Sequence, residues 1–152
     1  MRIGFDAKRA FFNSRGLGNY SRDTIRILTQ VESENRYFLY SPKKEQKIGF
    51  AYNRDNSEIR TPEGWHSISS ALWRTRFVCE DIRRDQLDIY HGLSHELPYG
   101  IEKTGVRSVV TMHDLIFLKN PELFPFFFRY TFKKKYTHGC RIADRVIAIS
   151  EE

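Results

Sequence analysis

The chain has 152 residues, about the length of one domain, which excludes two independent catalytic domains. It carries 25 lysines and arginines against 19 aspartates and glutamates, a net charge of +6, together with 12 Phe, 8 Tyr and 2 Trp. This combination favours an anionic partner such as nucleic acid, a phosphorylated small molecule or anionic lipid.

The first half of the chain predicts two strands, one helix and a long loop. Residues 2–6 are a short run typical of the first strand of an α/β domain. Apolar residues recur at helical spacing over residues 19–32, which predicts an amphipathic helix. Residues 37–40 predict a second strand. Residues 43–67 are polar and rich in turn formers, so we interpret them as a loop with one short strand near 58–61.

The second half continues the alternation of helices and strands. The apolar positions of residues 68–82 share one helical face, with Arg74 expected outside it. Residues 87–91 predict a strand, and residues 92–100 a loop. Residues 108–112 are a β-branched run with the continuous apolarity of a strand covered on both faces.

A long helix over residues 121–143 and a buried strand over residues 146–149 complete the pattern. Strands that alternate with helices predict an α/β fold, here a Rossmann-like, doubly wound, mainly parallel sheet. Ser150 followed by two glutamates has the form of a helix N-cap and an acidic first turn. We therefore expect residues 1–152 to be the N-terminal domain of a longer protein.

Residues 15–21, with the sequence RGLGNYS, precede the first predicted helix. Glycines at such a position allow close approach of a ligand, and the free N–H groups of a helix N-terminus suit a phosphate. A dinucleotide fingerprint would place its glycines directly after the first strand, whereas Gly16 lies ten positions after Asp6. NAD binding is therefore disfavoured, and a plain flexible loop is the alternative to a phosphate site.

His113 and Asp114 directly follow the apolar strand of residues 108–112. Ligand crevices of open α/β sheets lie at the carboxyl ends of the strands, so we expect this pair and the glycine loop to lie at the same end. The imidazole could contact a sugar hydroxyl or a carbonyl, and Asp114 could cap the next turn. The alternative is a structural histidine bonded to a neighbouring loop.

His91 and His95 have the spacing of a helical metal pair, with Glu96 beside them. Gly92 and Pro98 disfavour a helix there, so we expect no metal. The three side chains are candidates for an acceptor-binding loop together with Asp114, or else for a structural loop.

Residues 124–136 hold seven aromatic and four basic residues in thirteen positions. Such a segment is typical of an anionic bilayer interface. The alternative is a core helix that buries Phe124, Phe127, Phe128 and Thr131 and exposes the lysines. Nucleic acid is disfavoured because no DNA- or RNA-binding motif is present. With no transmembrane stretch of about 20 apolar residues and no apolar signal region, we expect a cytoplasmic protein, peripheral at the inner face of the plasma membrane.

Five segments of the chain together resemble the N-terminal half of GT-B glycosyltransferases of family 4, in particular their bacterial mannosyltransferase-like branch. The most specific match is VTMHDLIFLKNPELF, residues 110–124. The others are residues 2–8, 16–20, 88–98 and 143–150.

The resemblance implies a Rossmann-like, acceptor-side domain whose C-terminal partner domain holds the nucleotide-sugar. It implies transfer of a hexose such as mannose, from GDP-mannose or a UDP-sugar, to a glycan or lipid-linked acceptor in polysaccharide biosynthesis. Configuration would be retained, and no metal or other cofactor would be needed. The alternative is an acceptor- or nucleotide-binding module without catalysis of its own.

The resemblance also implies roles for individual residues. His113 would be the catalytic residue that contacts the donor hexose. Asn19 and Lys8 stand where the family often has arginine. The implied donor-binding residues are Gly16, Leu17, Gly18, Asn19 and Tyr20.

Overall fold

The computed structural model describes residues 1–64 and 69–149. Its strands are β1 (Arg2–Asp6), β2 (Arg36–Tyr40), β3 (Ser57–Arg60), β4 (Ile89–Gly92), β5 (Arg107–Met112) and β6 (Arg145–Ala148). Its α-helices are α1 (Lys8–Phe12), α2 (Gly16–Val31), α3 (Ser70–Leu72), α4 (Val78–Arg84), α5 (Ile116–Lys119) and α6 (Phe126–Ile142). A π-helical turn (Trp73–Phe77) joins α3 to α4, and 3-10 turns span Ile101–Lys103 and Pro121–Leu123.

The strands form one sheet in the order β3-β2-β1-β4-β5-β6, and every pairing is parallel. The predicted α/β fold with a Rossmann-like, doubly wound parallel sheet is therefore confirmed. The chain adds strands outward from β1 to β3, then returns to the other side of β1 and continues to β6. The carboxyl ends of β1 and β4 consequently meet where the strand order reverses, which is the usual ligand crevice of such sheets.

The central strands of the sheet are covered on both faces, as their apolarity predicts, whereas the edge strand β6 is exposed. Side chains alternate along β2, so Tyr37 and Leu39 belong to one core cluster and Phe38 and Tyr40 to the other. Both tyrosines of β2 satisfy their hydroxyls: Tyr37 donates to the Leu28 carbonyl oxygen and Tyr40 to Asp85 Oδ2, each at 2.8 Å. The sheet is thus a rigid base for the loops at its carboxyl edge.

The helical prediction over residues 68–82 is partly wrong. Trp73 is fully buried, and the Arg74 side chain is only 13% exposed because it reaches two carboxylates, whereas Leu72 is 53% exposed. The cause is the π-helical turn, whose wider winding rotates the residues away from α-helical spacing. Ile68, the first position of the predicted face, lies outside the described residues.

The long predicted helix begins later than expected, at Phe126 rather than at Pro121. Pro125 disfavours helical backbone at the residue before it, and Phe124 is accordingly extended, with φ −129° and ψ 134°. Gly16 and Gly18, expected just before a helix, lie within the first turn of α2. The short helix α1 was not predicted.

The α6 side of the molecule is far more exposed than a core helix would be. Phe127 is 75% and Phe128 50% exposed, so the alternative prediction that both are buried is wrong. The last predicted strand is present as β6, but its residues are exposed rather than buried. None of the described helices has the length and apolarity needed to cross a bilayer.

Candidate functional site

An open cleft of about 510 Å³ lies between the start of α2 and the chain that leaves β5. Both elements are at the carboxyl edge of the sheet, so the two predicted motifs do come together. The cleft is lined mainly by Arg15, Gly16, Leu17, Tyr20, His113 and Asp114.

The N-terminus of α2 offers backbone N–H donors suited to an anion. The first amides of a helix have no intrahelical partner, and here no side chain caps them. The first turn contains no acidic residue, and the N-cap position is held by Arg15. The positive end of the helix dipole therefore faces the cleft beside an arginine, which suits a negatively charged ligand.

The two glycines of this turn have different roles. Gly18 is buried, and a Cβ atom there would overlap the backbone carbonyl of Asn13, so this glycine permits the close contact between α2 and the preceding loop. Arg22 fixes the same loop by donating to the carbonyl oxygen of Asn13 at 2.8 Å. Gly16 is exposed and has open space around it. Backbone access for a ligand therefore exists at Gly16.

His113 is held from two directions. Its Nε2 lies 2.8 Å from the carbonyl oxygen of Leu93, and because a carbonyl only accepts, Nε2 carries the proton. Its backbone N–H donates to Nε2 of His95 at 3.0 Å. The Tyr20 ring meets the imidazole edge to face, with 4.6 Å between centroids. This bonding leaves Nδ1 of a neutral His113 as a hydrogen-bond acceptor, so the structural bond and a ligand contact are compatible.

Two further histidines lie beneath the cleft. Nε2 of His91 is 2.8 Å from the Thr111 hydroxyl, which also lies 3.1 Å from the Tyr20 hydroxyl. The His95 ring stacks on Tyr136 at 4.3 Å. Burial, followed by the nearby His113, lowers the pKa of both His91 and His95 to about 4, so both are neutral at physiological pH.

The predicted acceptor-binding residues therefore occupy different environments. His91 is 7% and His95 4% exposed, so either one would act on a ligand through the residues it positions. Asp114 is exposed at the rim, where a carboxylate oxygen accepts the backbone N–H of Ile116 at 3.4 Å. The predicted cap on the following turn is thus present, and Asp114 remains accessible.

Glu96 belongs to an ionic cluster at the ends of β1 and β4. Arg74 binds Asp6 at 2.7 Å and Glu96 at 2.8 Å, and Lys135 of α6 binds Glu96 at 3.1 Å. Burial alone would raise the pKa of Glu96, but the charges of Arg74 and Lys135 outweigh it and lower that pKa below its ordinary value. Burial, followed by the charges of Arg74 and Arg9, lowers the pKa of Lys8 beside this cluster.

Sequence reasoning missed Arg74, Thr111 and Tyr136 as parts of this edge. Their partners are distant along the chain, so no spacing within the sequence indicates them. Within residues 1–64 and 69–149, no group of three or more His, Cys, Asp or Glu side chains is placed to hold a metal ion.

No protein-family model matches the chain, and no curated protein matches it. The function is therefore inferred from the geometry of the cleft and from the sequence motifs that line it.

Proposed function

We propose that this chain is the acceptor-side, N-terminal domain of a retaining hexosyltransferase with GT-B architecture. The observation that carries the proposal is that the uncapped start of α2 and His113 line one cleft at the carboxyl edge of the sheet. His113 and Asp114, which line that cleft, belong to the motif over residues 110–124 that resembles family 4 glycosyltransferases. A second domain, with the nucleotide-sugar, would face it.

The α2 end of the cleft suits the donor diphosphate. Glycosyl transfer develops negative charge on the leaving diphosphate, and preorganised backbone donors stabilise such charge without reorganisation. The amides at Gly16 and Leu17, together with the Arg15 charge, are placed for this interaction. Tyr20 continues the same helix and lines the cleft, whereas Asn19 is exposed and its side-chain oxygen accepts a hydrogen bond from Arg22.

The His113 side suits the transferred sugar. The Nε2–H of His113 donates to the Leu93 carbonyl oxygen, so Nδ1 can accept a hydrogen bond from a sugar hydroxyl. His95 and Tyr20 fix the ring, and fixed orientation is what a positioned catalytic group needs. Asp114 at the rim is the accessible candidate for an acceptor hydroxyl.

The carboxylates of the site favour retention through donor geometry rather than through a covalent glycosyl-enzyme. Double displacement requires two carboxyl groups about 5 Å apart and free to react. Asp6 and Glu96 are instead both bound to Arg74. We place the enzyme in the cytoplasm, peripheral to the plasma membrane, with a glycan or lipid-linked acceptor of polysaccharide biosynthesis.

The test measures hexose transfer by the full-length protein from GDP-mannose and UDP-sugars. His113→Ala is expected to lower turnover about tenfold or more, while the matched variant His138→Ala, on α6 and outside the cleft, leaves it unchanged. Circular dichroism confirms that both variants fold. Unchanged turnover of His113→Ala would remove His113 from the site.

A binding module without catalysis is the second candidate, and calorimetry on this chain separates the two. We expect weak or no binding of GDP-mannose, since the donor pocket would lie in the other domain. Micromolar affinity of this chain for GDP-mannose would contradict the assignment of the donor pocket to the other domain. Acceptor binding without transfer by the full-length protein would favour the module.

A further inference from the structure

The most exposed apolar surface of the described residues lies where α5, the following 3-10 turn and the start of α6 converge. We call it the aromatic tip. Phe126 and Phe127 are each 75% exposed, which is unusual for side chains without polar atoms. A groove of about 310 Å³ joins the elements, with Leu118 and Pro121 on one side and Phe126 and Tyr130 on the other. The tip consists of Leu118, Leu123, Phe126, Phe127, Phe128 and Tyr130.

Positive charge surrounds this tip. Residues 115–142 contain six lysines and arginines and one glutamate, so they hold most of the chain's net charge of +6. Lys135 pairs with Glu96, but the ion pairs of the described residues include none of the cations nearest the tip. The Arg129 guanidinium lies 5.7 Å from the centroid of the Phe126 ring. These unpaired cations are Lys119, Arg129, Lys133 and Lys134.

The aromatic tip lies at the same end of the molecule as the cleft. Helix α6 connects the parallel strands β5 and β6, so it runs antiparallel to them and begins at their carboxyl edge. Its 17 residues span about 25 Å, so the tip residues occupy only the edge-proximal part of the helix. Lys133 and Lys134 follow one to two turns later.

We propose that the aromatic tip inserts into the interface of an anionic bilayer, with the surrounding cations on the lipid phosphates. Apolar faces of this kind enter about 5–10 Å into the boundary between headgroups and acyl chains. The charge pattern opposes other occupants. A second copy would place equal positive patches against each other, and an apolar protein face would bury the cations without partners.

This docking would orient the cleft toward the membrane, where a lipid-linked acceptor is found, a consequence that rests on the proposed function. Membrane binding itself requires neither donor nor acceptor. The two proposals can therefore fail separately.

The test is co-sedimentation of the full-length protein with vesicles of phosphatidylcholine, alone or mixed with an equal amount of phosphatidylglycerol. Lys133→Gln combined with Lys134→Gln is expected to weaken binding to the anionic vesicles about 30-fold, as two cations near an anionic surface contribute about 1 kcal/mol each. The matched control neutralises Lys43 and Lys44, an exposed adjacent pair far along the chain, and is expected to bind like the wild type.

The apolar part of the tip has its own variant pair. Phe126→Ser combined with Phe127→Ser is expected to weaken binding about tenfold, since shallow insertion recovers only part of the free energy of burying two aromatic rings. Val31→Ser, at a position 71% exposed on α2, is the control. Thermal unfolding of all variants shows whether they keep the fold.

Several outcomes would overturn the proposal. The first two are no binding of the wild type to anionic vesicles and an equal loss of binding in the Lys43 and Lys44 control. A dimer in sedimentation velocity that the Phe126 and Phe127 variant abolishes would indicate that a second copy covers the tip. Tighter binding to single-stranded RNA than to vesicles would indicate nucleic acid instead. Transfer to a water-soluble acceptor is measured in parallel. If the protein transfers hexose to the water-soluble acceptor but does not bind vesicles, only the docking proposal fails.

Discussion

Mild acid should destabilise this protein strongly, because His91 and His95 are buried as neutral imidazoles. Their folded pKa is about 4, whereas an unfolded histidine titrates near 6.5. Below about pH 6.5 the unfolded chain therefore binds more protons than the folded chain, and protons favour unfolding. The stability that the depressed pKa preserves is complete above 6.5 and is lost as the pH falls toward 4.

The magnitude follows from proton linkage. Between about pH 7 and pH 5, one such histidine lowers the free energy of unfolding by about 2 kcal/mol, so the pair lowers it by about 4 kcal/mol. That is a large part of the free energy of unfolding of a typical domain, which is about 5–15 kcal/mol. His138, whose pKa burial also lowers, acts in the same direction. Glu96 does not interfere, since its lowered pKa places its titration below this range.

Urea unfolding at the two pH values measures the effect, with the slope m checked for constancy. In His91→Gln, one of the two most strongly shifted histidines is gone, so the difference in unfolding free energy between the two pH values should fall by about 2 kcal/mol whatever the variant's own stability. A wild-type free energy of unfolding that changes by less than about 1 kcal/mol between the two conditions would refute the burial of neutral histidines.

Two further stability predictions follow from the packing and charge of the carboxyl edge. Gly18→Ala should lower the free energy of unfolding by about 1–3 kcal/mol, because the added Cβ overlaps the backbone carbonyl of Asn13. Gly16→Ala, where the added Cβ meets open space, should be neutral. Equal effects of the two variants in urea unfolding would contradict the packing role of Gly18. Arg74→Met should lower the free energy of unfolding by about 3–5 kcal/mol at neutral pH, because it removes the ion-pair partner of Asp6 and leaves Glu96 with Lys135 alone. The deficit relative to the wild type should shrink in acid, where a buried carboxyl group no longer needs a cation. A deficit that is independent of pH would show that Arg74 acts through packing alone.

Strands β2 and β5 were predictable because a strand buried on both faces needs a continuous apolar run, and such runs are visible in one sequence. The similar run in β6 predicts the strand correctly, but that strand is exposed at the sheet edge. Helix α1 was not, since five residues without a cap show no periodicity. It forms because Ala10 and Phe11 are buried in the core cluster beneath α2, and that reason is tertiary.

The site also combines contacts that the sequence predicts with contacts that depend on tertiary packing. The meeting of Gly16, Tyr20 and His113 could be predicted, since carboxyl ends of parallel strands share one edge. The contacts that support these residues could not be predicted, because they join positions far apart in the sequence. Arg74 binds Asp6 across 68 positions, and Tyr20 contacts Thr111 across 91. Which histidine is accessible and which is buried is likewise decided by packing.

The π-helical turn Trp73–Phe77 has a consequence for how this segment tolerates insertions and deletions. A π turn corresponds to one extra residue in an α-helix, so deleting one residue there would restore regular winding. The restored helix would rotate Trp73 and Arg74 together by about 100° relative to α4, which would take Trp73 out of the core and Arg74 away from its two carboxylates. Chain length between α3 and α4 is therefore fixed by two neighbouring side chains that must point to different places.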